Sequence, residues 1–363
     1  MPVKLALNPF GNTKMNSIEA ARGIAALLVV FMHAANMMKE VQYTGHYGMG
    51  RVFDFGYVGV DFFFVLSGFI ITYVHYGELG SFKRLPRYLW RRFSRIYPIY
   101  WTILILTVLT VTLGKLAIGK PPGFDIGFAD IPGTIFLLMS HEEPKYVGVA
   151  WTLQYEVIFY LAFCLLFIST RIGVMVFTIW GGVILARALG FMDVVLPLNL
   201  DSPHCFEFLL GVVVAVAARK YQLRATPLLL VFVLLSFVIA VLFEVYGPYG
   251  RHAPIGRFAL GFASAAILAT LVGLERQQAL NTPKWLVRIG SASYSIYLGH
   301  ILFIGLTYQV LAKLGLYHRL PEWAVFFSAV IFALAGTMLI GLRIELPIVS
   351  VLKNRWVHRI KAT

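Results

Sequence analysis

Long apolar segments alternate with short polar ones along the whole chain. Segments 96–113, 227–243, 258–274 and 323–342 contain no Asp, Glu, Lys or Arg at all. A run of about 18–20 apolar residues is the length that a helix needs to cross the hydrocarbon core of a bilayer. The pattern therefore predicts an all-α, polytopic transmembrane helix bundle.

Ten such segments are predicted as spans, together with one short helix. The predicted spans are 18–36, 56–76, 96–113, 147–169, 172–190, 204–218, 227–243, 256–274, 290–312 and 323–342. Segment 131–140 is apolar but too short to cross, and Pro132-Gly133 at its start favours a re-entrant or interfacial helix. We see no repeat of fixed period, so we predict a single transmembrane domain over residues 1–363.

Composition narrows the class of protein. The chain is 59% hydrophobic and 13% charged, with a mean hydropathy of +0.77. A soluble domain carries about 25% charged residues, so an ordinary water-soluble fold and a nucleic-acid-binding fold are both excluded. The formal net charge of +14 is then best explained by cytoplasmic loops that face anionic lipid.

The distribution of basic residues predicts the orientation. If the N-terminus is cytoplasmic, 21 of the 31 Lys and Arg residues fall in inner segments. Cytoplasmic loops are enriched in these residues, which supports this orientation. Because the number of spans is even, both termini are predicted to be cytoplasmic.

Arg22 and His33 are ionisable groups inside the first predicted span, eleven residues apart. At about 100° per residue, eleven residues return to nearly the same helix face, separated by about 16 Å along the axis. An interfacial arginine and a histidine at a packed helix end would be the structural explanation. Because intramembrane charge is costly, the shared face favours a functional pair.

Two carboxylates are predicted to reach the depth of His33. Asp61 lies a few residues into the second span and Glu156 a few residues into the fourth. A carboxylate beside an imidazole orients the ring, fixes its tautomer and stabilises the imidazolium. A structural ion pair between helices is an equal alternative for Asp61, whereas the deeper Glu156 favours function.

Arg92 and Arg95 end a basic loop where the third span begins. At i and i+3 they project from one helix face, and two guanidinium groups at that spacing suit a phosphate or pyrophosphate. Basic inner loops also arise from topology alone, which stays the competing explanation.

The remaining candidates would bind a polar substrate. His300 follows several hydroxyl residues in the ninth span and is expected to line a polar cavity, with hydrogen bonding to neighbouring helices as the alternative. Glu207, with His204, lies near the outer start of the sixth span, and Trp151 and Tyr155 could stack on a sugar. An interfacial position is the stronger interpretation for Glu207 and His204, and interfacial aromatic belts are the alternative for the two aromatic residues. We find no zinc-ligand spacing, P-loop, dinucleotide fingerprint or nucleophile elbow, and no metal is expected.

The motifs that carry these groups resemble those of one enzyme family, in order along nearly the whole chain. They are Arg22 with ten residues before His33, Gly59-Val60-Asp61-Phe62-Phe63, Ser67-Gly68-Phe69, Arg92-Phe93-Ser94-Arg95-Ile96-Tyr97-Pro98, Trp151 to Glu156 with Phe159-Tyr160, Phe206-Glu207-Phe208 with Gly211, and Ser293-Tyr294-Ser295-Ile296-Tyr297 with His300. On these residues the chain resembles the acyltransferase-3 family of bacterial membrane acyltransferases, and most closely its short members that modify exopolysaccharide.

The resemblance implies a function and a donor. It implies an O-acyltransferase in the bacterial inner membrane, with acyl-CoA, most simply acetyl-CoA, as donor and an extracytoplasmic or lipid-linked glycan as acceptor. Arg22 and His33 would be the essential pair, and Arg92 and Arg95 would contact CoA. In the mechanism that follows, His33 acts as general base or transient acyl carrier, a carboxylate orients it, and Arg22 helps to hold the thioester or its oxyanion.

Other functions remain open on the sequence alone. A proton-coupled transporter of a polar solute also places histidine and carboxylates inside a helix bundle. No inverted repeat with paired broken helices is evident, which disfavours this alternative. A membrane glycosyltransferase would need catalytic carboxylates in a large outer loop, and the predicted outer loops are short. Self-association into a homo-oligomer is open.

Overall fold

A computed structural model describes residues 15–40, 49–117, 119, 121, 130–138, 146–193, 195–249, 251, 253–317 and 319–352, without the side chains of Gly50 and Arg51. The α-helices are α1 (Asn16–Met38), α2 (Gly50–Phe53), α3 (Val58–His75), α4 (Leu85–Ala117), α5 (Ile131–Phe136), α6 (Trp151–Ile168), α7 (Thr170–Ala188), α8 (Pro203–Lys220), α9 (Pro227–Tyr246), α10 (Pro254–Arg276), α11 (Lys284–Ser291), α12 (Ser293–Lys313) and α13 (Glu322–Ile340). Short 3₁₀ turns join several of them, and a π-helical turn, Gly341–Glu345, extends α13.

The structure confirms the predicted all-α class and the number of spans. Within the described residues, ten helical segments are long and apolar enough to cross a membrane, and each overlaps one predicted span. The short helix predicted near 131–140 is α5, which has six residues. Its re-entrant or interfacial character stays a prediction.

The third span differs from the prediction at its N-terminal end. The sequence places its start at residue 96, after a basic loop, but α4 runs through this region and has 33 residues. At about 1.5 Å per residue it is roughly 50 Å long, well beyond the ~30 Å hydrocarbon core. Arg92 and Arg95 therefore lie inside a helix, with Pro98 only three residues further on. Because the N-terminal part of α4 carries several basic residues, a search for apolar runs does not detect it.

Several span boundaries are set by local capping chemistry. The Ser169 side chain accepts a hydrogen bond from the backbone N–H of Ile172 at the start of α7, and Thr226 does the same for Leu229 at the start of α9. Such caps satisfy backbone donors that the first helical turn leaves unpaired. Pro227 occupies the first position of α9, where its missing N–H costs nothing.

The chain forms two compact units by internal contacts. Unit 1 comprises Met1–Leu27, Tyr57–Gly77 and Phe206–Ser293. Unit 2 comprises Leu28–Gly56, Glu78–Cys205 and Tyr294–Thr363. The single domain over residues 1–363 stays a prediction.

Unit 1 packs α3 against α8, α9 and α10. Its core joins apolar side chains of α3, such as Phe69, to those of α10, such as Leu268. A Cβ atom at Gly68 would lie 2.0 Å from the Phe208 carbonyl oxygen, and one at Gly211 would lie 1.9 Å from that of Val65. Only glycine permits two membrane helices to approach this closely. The Ser67-Gly68 segment is therefore a point of close packing between α3 and α8.

Unit 2 anchors the short helix α5 on α4. Three aromatic side chains of α4 donate hydrogen bonds to consecutive carbonyls at residues 134–136 of α5. The donors are Tyr100 to Thr134, Trp101 to Ile135 and Tyr97 to Phe136. The last carbonyls of a helix have no partner within it, and in a membrane they must be satisfied by protein groups. These contacts explain how so short a helix is held.

The predicted orientation can be tested with two matched tyrosines. Tyr221 lies before the start of α9 and Tyr249 after its end, and their side chains are 67% and 64% exposed. In a background lacking Cys164 and Cys205, Tyr249→Cys is expected to react with an impermeant maleimide added to intact cells, whereas Tyr221→Cys reacts only after permeabilisation. The reverse pattern would invert the orientation of the whole chain.

Candidate active site

Two imidazoles from α1 and α12 meet in unit 2. The Nε2 atom of His300 lies 3.1 Å from the Nδ1 atom of His33, and the ring centroids are 4.9 Å apart. His300 is fully buried, whereas His33 is partly exposed. The sequence identifies each histidine as a candidate but not their contact, because 267 residues separate them.

Each ring is also held by a carbonyl one turn earlier in its own helix. The Nδ1 atom of His33 lies 3.0 Å from the Val29 oxygen, and the Nδ1 atom of His300 lies 3.0 Å from the Ile296 oxygen. Among the described residues, the hydrogen-bond partners of His33 are this carbonyl and His300. A second imidazole thus takes the place that the sequence analysis gave to a carboxylate.

Arg92 lies over two aromatic rings in unit 2. Its guanidinium carbon is 5.9 Å from the centroid of Tyr88 and 5.5 Å from that of Tyr160. Stacking on ring faces holds a guanidinium while leaving its in-plane N–H donors available. Its Nε atom is buried and has no hydrogen-bond partner within the described part of the chain. An anionic ligand would satisfy such a donor.

Arg95, one turn further along α4, lies within electrostatic range of two carboxylates, Glu156 and Glu345. Glu156 also accepts a hydrogen bond from the hydroxyl of Tyr160. Tyr294 belongs to the same polar cluster and donates to a backbone carbonyl of α4. Glu156, predicted to orient His33, is therefore placed by these contacts beside the arginine pair.

Glu345 is a member of this cluster that the sequence analysis missed. It ends the π-helical turn after α13, and its Oε2 atom accepts a hydrogen bond of 2.5 Å from Ser295. Single π-turns inside helices occur frequently at functional sites. The available signal was a lone carboxylate in the otherwise apolar stretch that follows Arg343.

Helix α12 connects the arginine pair to the imidazole pair within unit 2. Tyr294 and Ser295 contact the arginine side, and His300 contacts His33. Between them, the Tyr297 hydroxyl accepts a hydrogen bond of 3.1 Å from Thr152. Six residues of helix correspond to a rise of about 9 Å, so α12 links the side chains around Arg95 to the imidazole pair.

Unit 1 holds a buried charge cluster. Arg257 of α10 donates to both carboxylate oxygens of Asp61, at 2.8 and 2.7 Å, and lies over the Tyr57 ring. Glu244 is 3.8 Å from the guanidinium Nε, and Glu207 lies close to both Asp61 and Arg257. Arg257 was not among the candidates predicted from the sequence. An ion pair between helices, one of the two explanations considered for Asp61, is observed.

Arg22 is paired with an acid on its own helix. Its Nη1 atom donates to both carboxylate oxygens of Glu19, each at 3.1 Å. Helix α1 continues without interruption to His33, which confirms that both predicted residues lie on one helix. The pairing draws the guanidinium toward the N-terminal turn, away from His33.

The two aromatic candidates for sugar binding are packed together in unit 2. The rings of Trp151 and Tyr155 are 5.9 Å apart in an edge-to-face arrangement, and each lies beside the imidazole of His204 at 5.4 and 5.9 Å. All three side chains are partly exposed. The cluster offers aromatic faces, an indole N–H and an imidazole on one surface.

The ten apolar helices found among the described residues define a multi-pass membrane protein. The arginine pair and the imidazole pair, both in unit 2, define a candidate group-transfer site. The model of an acyltransferase domain that describes the acyltransferase-3 family matches residues 15–342. The chain therefore belongs to this family of membrane acyltransferases, as its motifs indicate.

Individual relatives narrow the comparison. The exopolysaccharide production protein ExoZ of Rhizobium meliloti is 30% identical over 82% of this chain and 88% of its own length. The acyltransferase MdmB of Streptomyces mycarofaciens is 25% identical over 80% of this chain and 79% of its own. A Staphylococcus aureus protein named as an O-acetyltransferase, SAS0844, is 25% identical over 81% of this chain but only 51% of its own. No solved structure matches the chain.

Proposed function

We propose that this protein is an O-acyltransferase of a bacterial inner membrane. It moves an acyl group, most simply acetyl, from cytoplasmic acyl-CoA to a hydroxyl of an exopolysaccharide or of its lipid-linked precursor. The names of the relatives support the substrate class. The observation that carries the proposal is the placement of an arginine pair and an imidazole pair along α12 of unit 2.

The arginine pair would bind the phosphates of the donor. Arg92 has a buried Nε donor without a partner within the described residues, and ring stacking keeps its guanidinium in place. Arg95 lies one turn away on the same helix face, balanced by Glu156 and Glu345. Two planar guanidinium groups suit a pyrophosphate, and the acids limit the cost of burying them when no donor is bound.

His33 would perform the transfer. Its Nε2 atom takes the proton of the acceptor hydroxyl while the hydroxyl oxygen attacks the thioester carbonyl carbon. The new C–O bond forms, the C–S bond breaks, and the departing thiolate receives the proton from Nε2. In the covalent alternative, Nε2 attacks the thioester first and the hydroxyl then displaces the acyl-imidazole. Both routes need an unprotonated Nε2.

Arg22 would not contact an oxyanion beside His33, because the two residues are separated by about 16 Å along α1. Its guanidinium pairs instead with Glu19, one turn earlier on the same helix. The essential role that the resemblance gives to Arg22 stays a prediction.

The acceptor would bind at the cluster of Trp151, Tyr155 and His204. Aromatic faces stack on the apolar faces of sugars, and the indole N–H and imidazole can bond to hydroxyls. Glu207, in unit 1, is buried close to Asp61 and Arg257, so it would support its own unit rather than touch the glycan. This removes Glu207 from the residues that the sequence suggested for binding the acceptor.

Arg92→Ala and Arg95→Ala are each expected to weaken acetyl-CoA binding about 10–150-fold, because a charge-assisted phosphate contact contributes about 1.5–3 kcal/mol. Lysine should restore only part of the loss, since it lacks the planar fork. Isothermal titration of the purified protein in detergent measures the dissociation constant.

Arg91→Ala is the matched control, since Arg91 is on the same helix but about 100° around it from Arg92. It is expected to bind acetyl-CoA as the wild type does. Equal losses in all three variants would indicate a general effect of helix charge. A wild-type protein that binds no acyl-CoA would overturn the proposed donor.

A further inference from the structure

We propose that His300 is a positioning residue that accepts the Nδ1 proton of His33 and so keeps the Nε2 atom of His33 unprotonated. The inference rests on the proposed function, in which His33 Nε2 is the base or nucleophile. It assigns to a second imidazole the task that a carboxylate performs in many hydrolases. The three contacts of the pair settle the position of each proton.

The proton on His300 is fixed by its own helix. A carbonyl oxygen can only accept, so the Nδ1 atom of His300, 3.0 Å from the Ile296 oxygen, carries the hydrogen. In a neutral imidazole the other nitrogen then has a lone pair. The Nε2 atom of His300 is therefore an acceptor, and it lies 3.1 Å from the Nδ1 atom of His33.

The proton on His33 follows from the same reasoning. Its Nδ1 atom faces two acceptors, the Val29 oxygen at 3.0 Å and His300 Nε2 at 3.1 Å. One hydrogen shared between two acceptors satisfies both, as in three-centre hydrogen bonds. In the opposite tautomer, with hydrogen on Nε2 of His33, the lone pairs of His33 Nδ1, His300 Nε2 and the Val29 oxygen would face one another. His33 is thus held with hydrogen on Nδ1 and a lone pair on Nε2.

The contact also favours the charged state formed during transfer. When Nε2 of His33 takes a proton, the Nδ1–H group becomes a cationic donor, and its hydrogen bond to a neutral acceptor strengthens. His300 can accept this bond without adding a negative charge to the apolar interior. An ionised carboxylate in the same place would itself be costly to bury.

Burial and packing separate the roles of the two rings. His300 is fully buried and His33 is partly exposed, so His33 is the ring that can meet a substrate. Two turns beyond His300, the Tyr308 hydroxyl donates a 2.9 Å hydrogen bond to the Ala34 carbonyl of α1. This bond is a further contact between α12 and α1, and it involves neither ring.

The tautomers can be observed without any acceptor. Solid-state NMR of the full chain in lipid, with ¹⁵N-labelled histidine, distinguishes protonated from unprotonated ring nitrogens. Signals are assigned with His33→Gln and His300→Gln. Both rings are expected to show hydrogen on Nδ1 and a bare Nε2. A His33 signal with hydrogen on Nε2 would overturn the proposal.

A pair of amide variants tests the role in transfer. The glutamine oxygen can reach the position of His300 Nε2 and accept from His33, whereas the shorter asparagine reaches only the position of Nδ1. His300→Asn is expected to lower kcat about 10–100-fold with KM for acetyl-CoA unchanged, the size of effect seen for other orienting partners. His300→Gln should retain most of the activity. The assay follows radiolabelled acetyl from acetyl-CoA into the glycan fraction of membranes that hold the native acceptor.

Tyr308→Phe is the control for loosened packing, because it removes the neighbouring bond between α1 and α12 without touching either ring. It should leave kcat within about threefold, well below the loss expected for an orienting partner. If His300→Gln and His300→Asn lost equal activity while His33→Gln was inactive, the positioning role of His300 would be refuted. The proposed function of His33 would stand. Full activity in His33→Gln would instead refute the proposed function of His33.

Discussion

Replacement of His33 by glutamine is expected to lower the rate of acyl transfer by at least about 10²–10⁴-fold, the usual contribution of a general base. Glutamine keeps much of the shape of the side chain and can still bond the Val29 carbonyl or His300, but it cannot take a proton. Loss of a covalent step would lower the rate further. Incorporation of radiolabelled acetyl into the membrane glycan measures the effect.

Binding of acetyl-CoA provides the first control for this variant. His33→Gln should bind the donor with a dissociation constant close to that of the wild type, since the proposed phosphate site lies on α4. His75→Gln is the second control. His75 is a fully buried histidine at the end of α3 in unit 1, whereas the arginine pair and the imidazole pair belong to unit 2. It should transfer acetyl at nearly the normal rate. Near-normal turnover by His33→Gln would exclude His33 as base and nucleophile.

Apolar run length was sufficient to predict the spans, since the membrane imposes one helix length on every crossing segment. It failed at α4, where a helix continues through the basic segment 85–95. Arginine and leucine are good helix formers, so helix propensity would have extended this helix where hydropathy could not. The apolar criterion detects the lipid-embedded part of a helix and not its ends.

The chemistry of the site was predictable to the level of individual helices. An ionisable group in a span is detectable because burial makes it costly, which identified His33, Glu156 and His300. One contact could also have been inferred from spacing, since Tyr160 and Glu156 stand at i and i+4 of α6. The partners of His33 and Asp61 could not, because they are 267 and 196 residues away and depend on helix packing.

The residues that were not predicted from the sequence share one property. Each lies at the edge of an apolar run. Arg257 is near the start of α10, and Glu345 follows the end of α13. At these places a charge is explained by water or lipid head groups, so sequence gives no reason to single it out. In the structure both side chains turn inward to oppositely charged or hydroxyl groups. In membrane proteins, charges at the edge of an apolar run should therefore be considered as candidate site residues, as charges at mid-span are.

The ion pair of Asp61 and Arg257 is expected to dominate the stability of unit 1. The carboxylate is fully buried and the guanidinium side chain is 10% exposed. Removing one partner of a buried pair leaves an uncompensated charge and typically costs about 3–5 kcal/mol. Asp61→Asn and Arg257→Gln should both lower the free energy of unfolding by this amount, measured by denaturant titration in detergent.

Arg257→Gln should be the more damaging of the two substitutions. Asp61→Asn leaves one cation that still has Glu244 nearby, whereas Arg257→Gln removes the guanidinium from Asp61, Glu244 and Glu207 together. The pair of Lys39 and Asp54 in unit 2 is the matched control, with a distance of 3.3 Å and side chains 21% and 24% exposed. Asp54→Asn should cost no more than about 1 kcal/mol, as more exposed pairs do. If all three variants unfolded alike, water would have to reach the Asp61–Arg257 pair, and its burial could not be the source of stability.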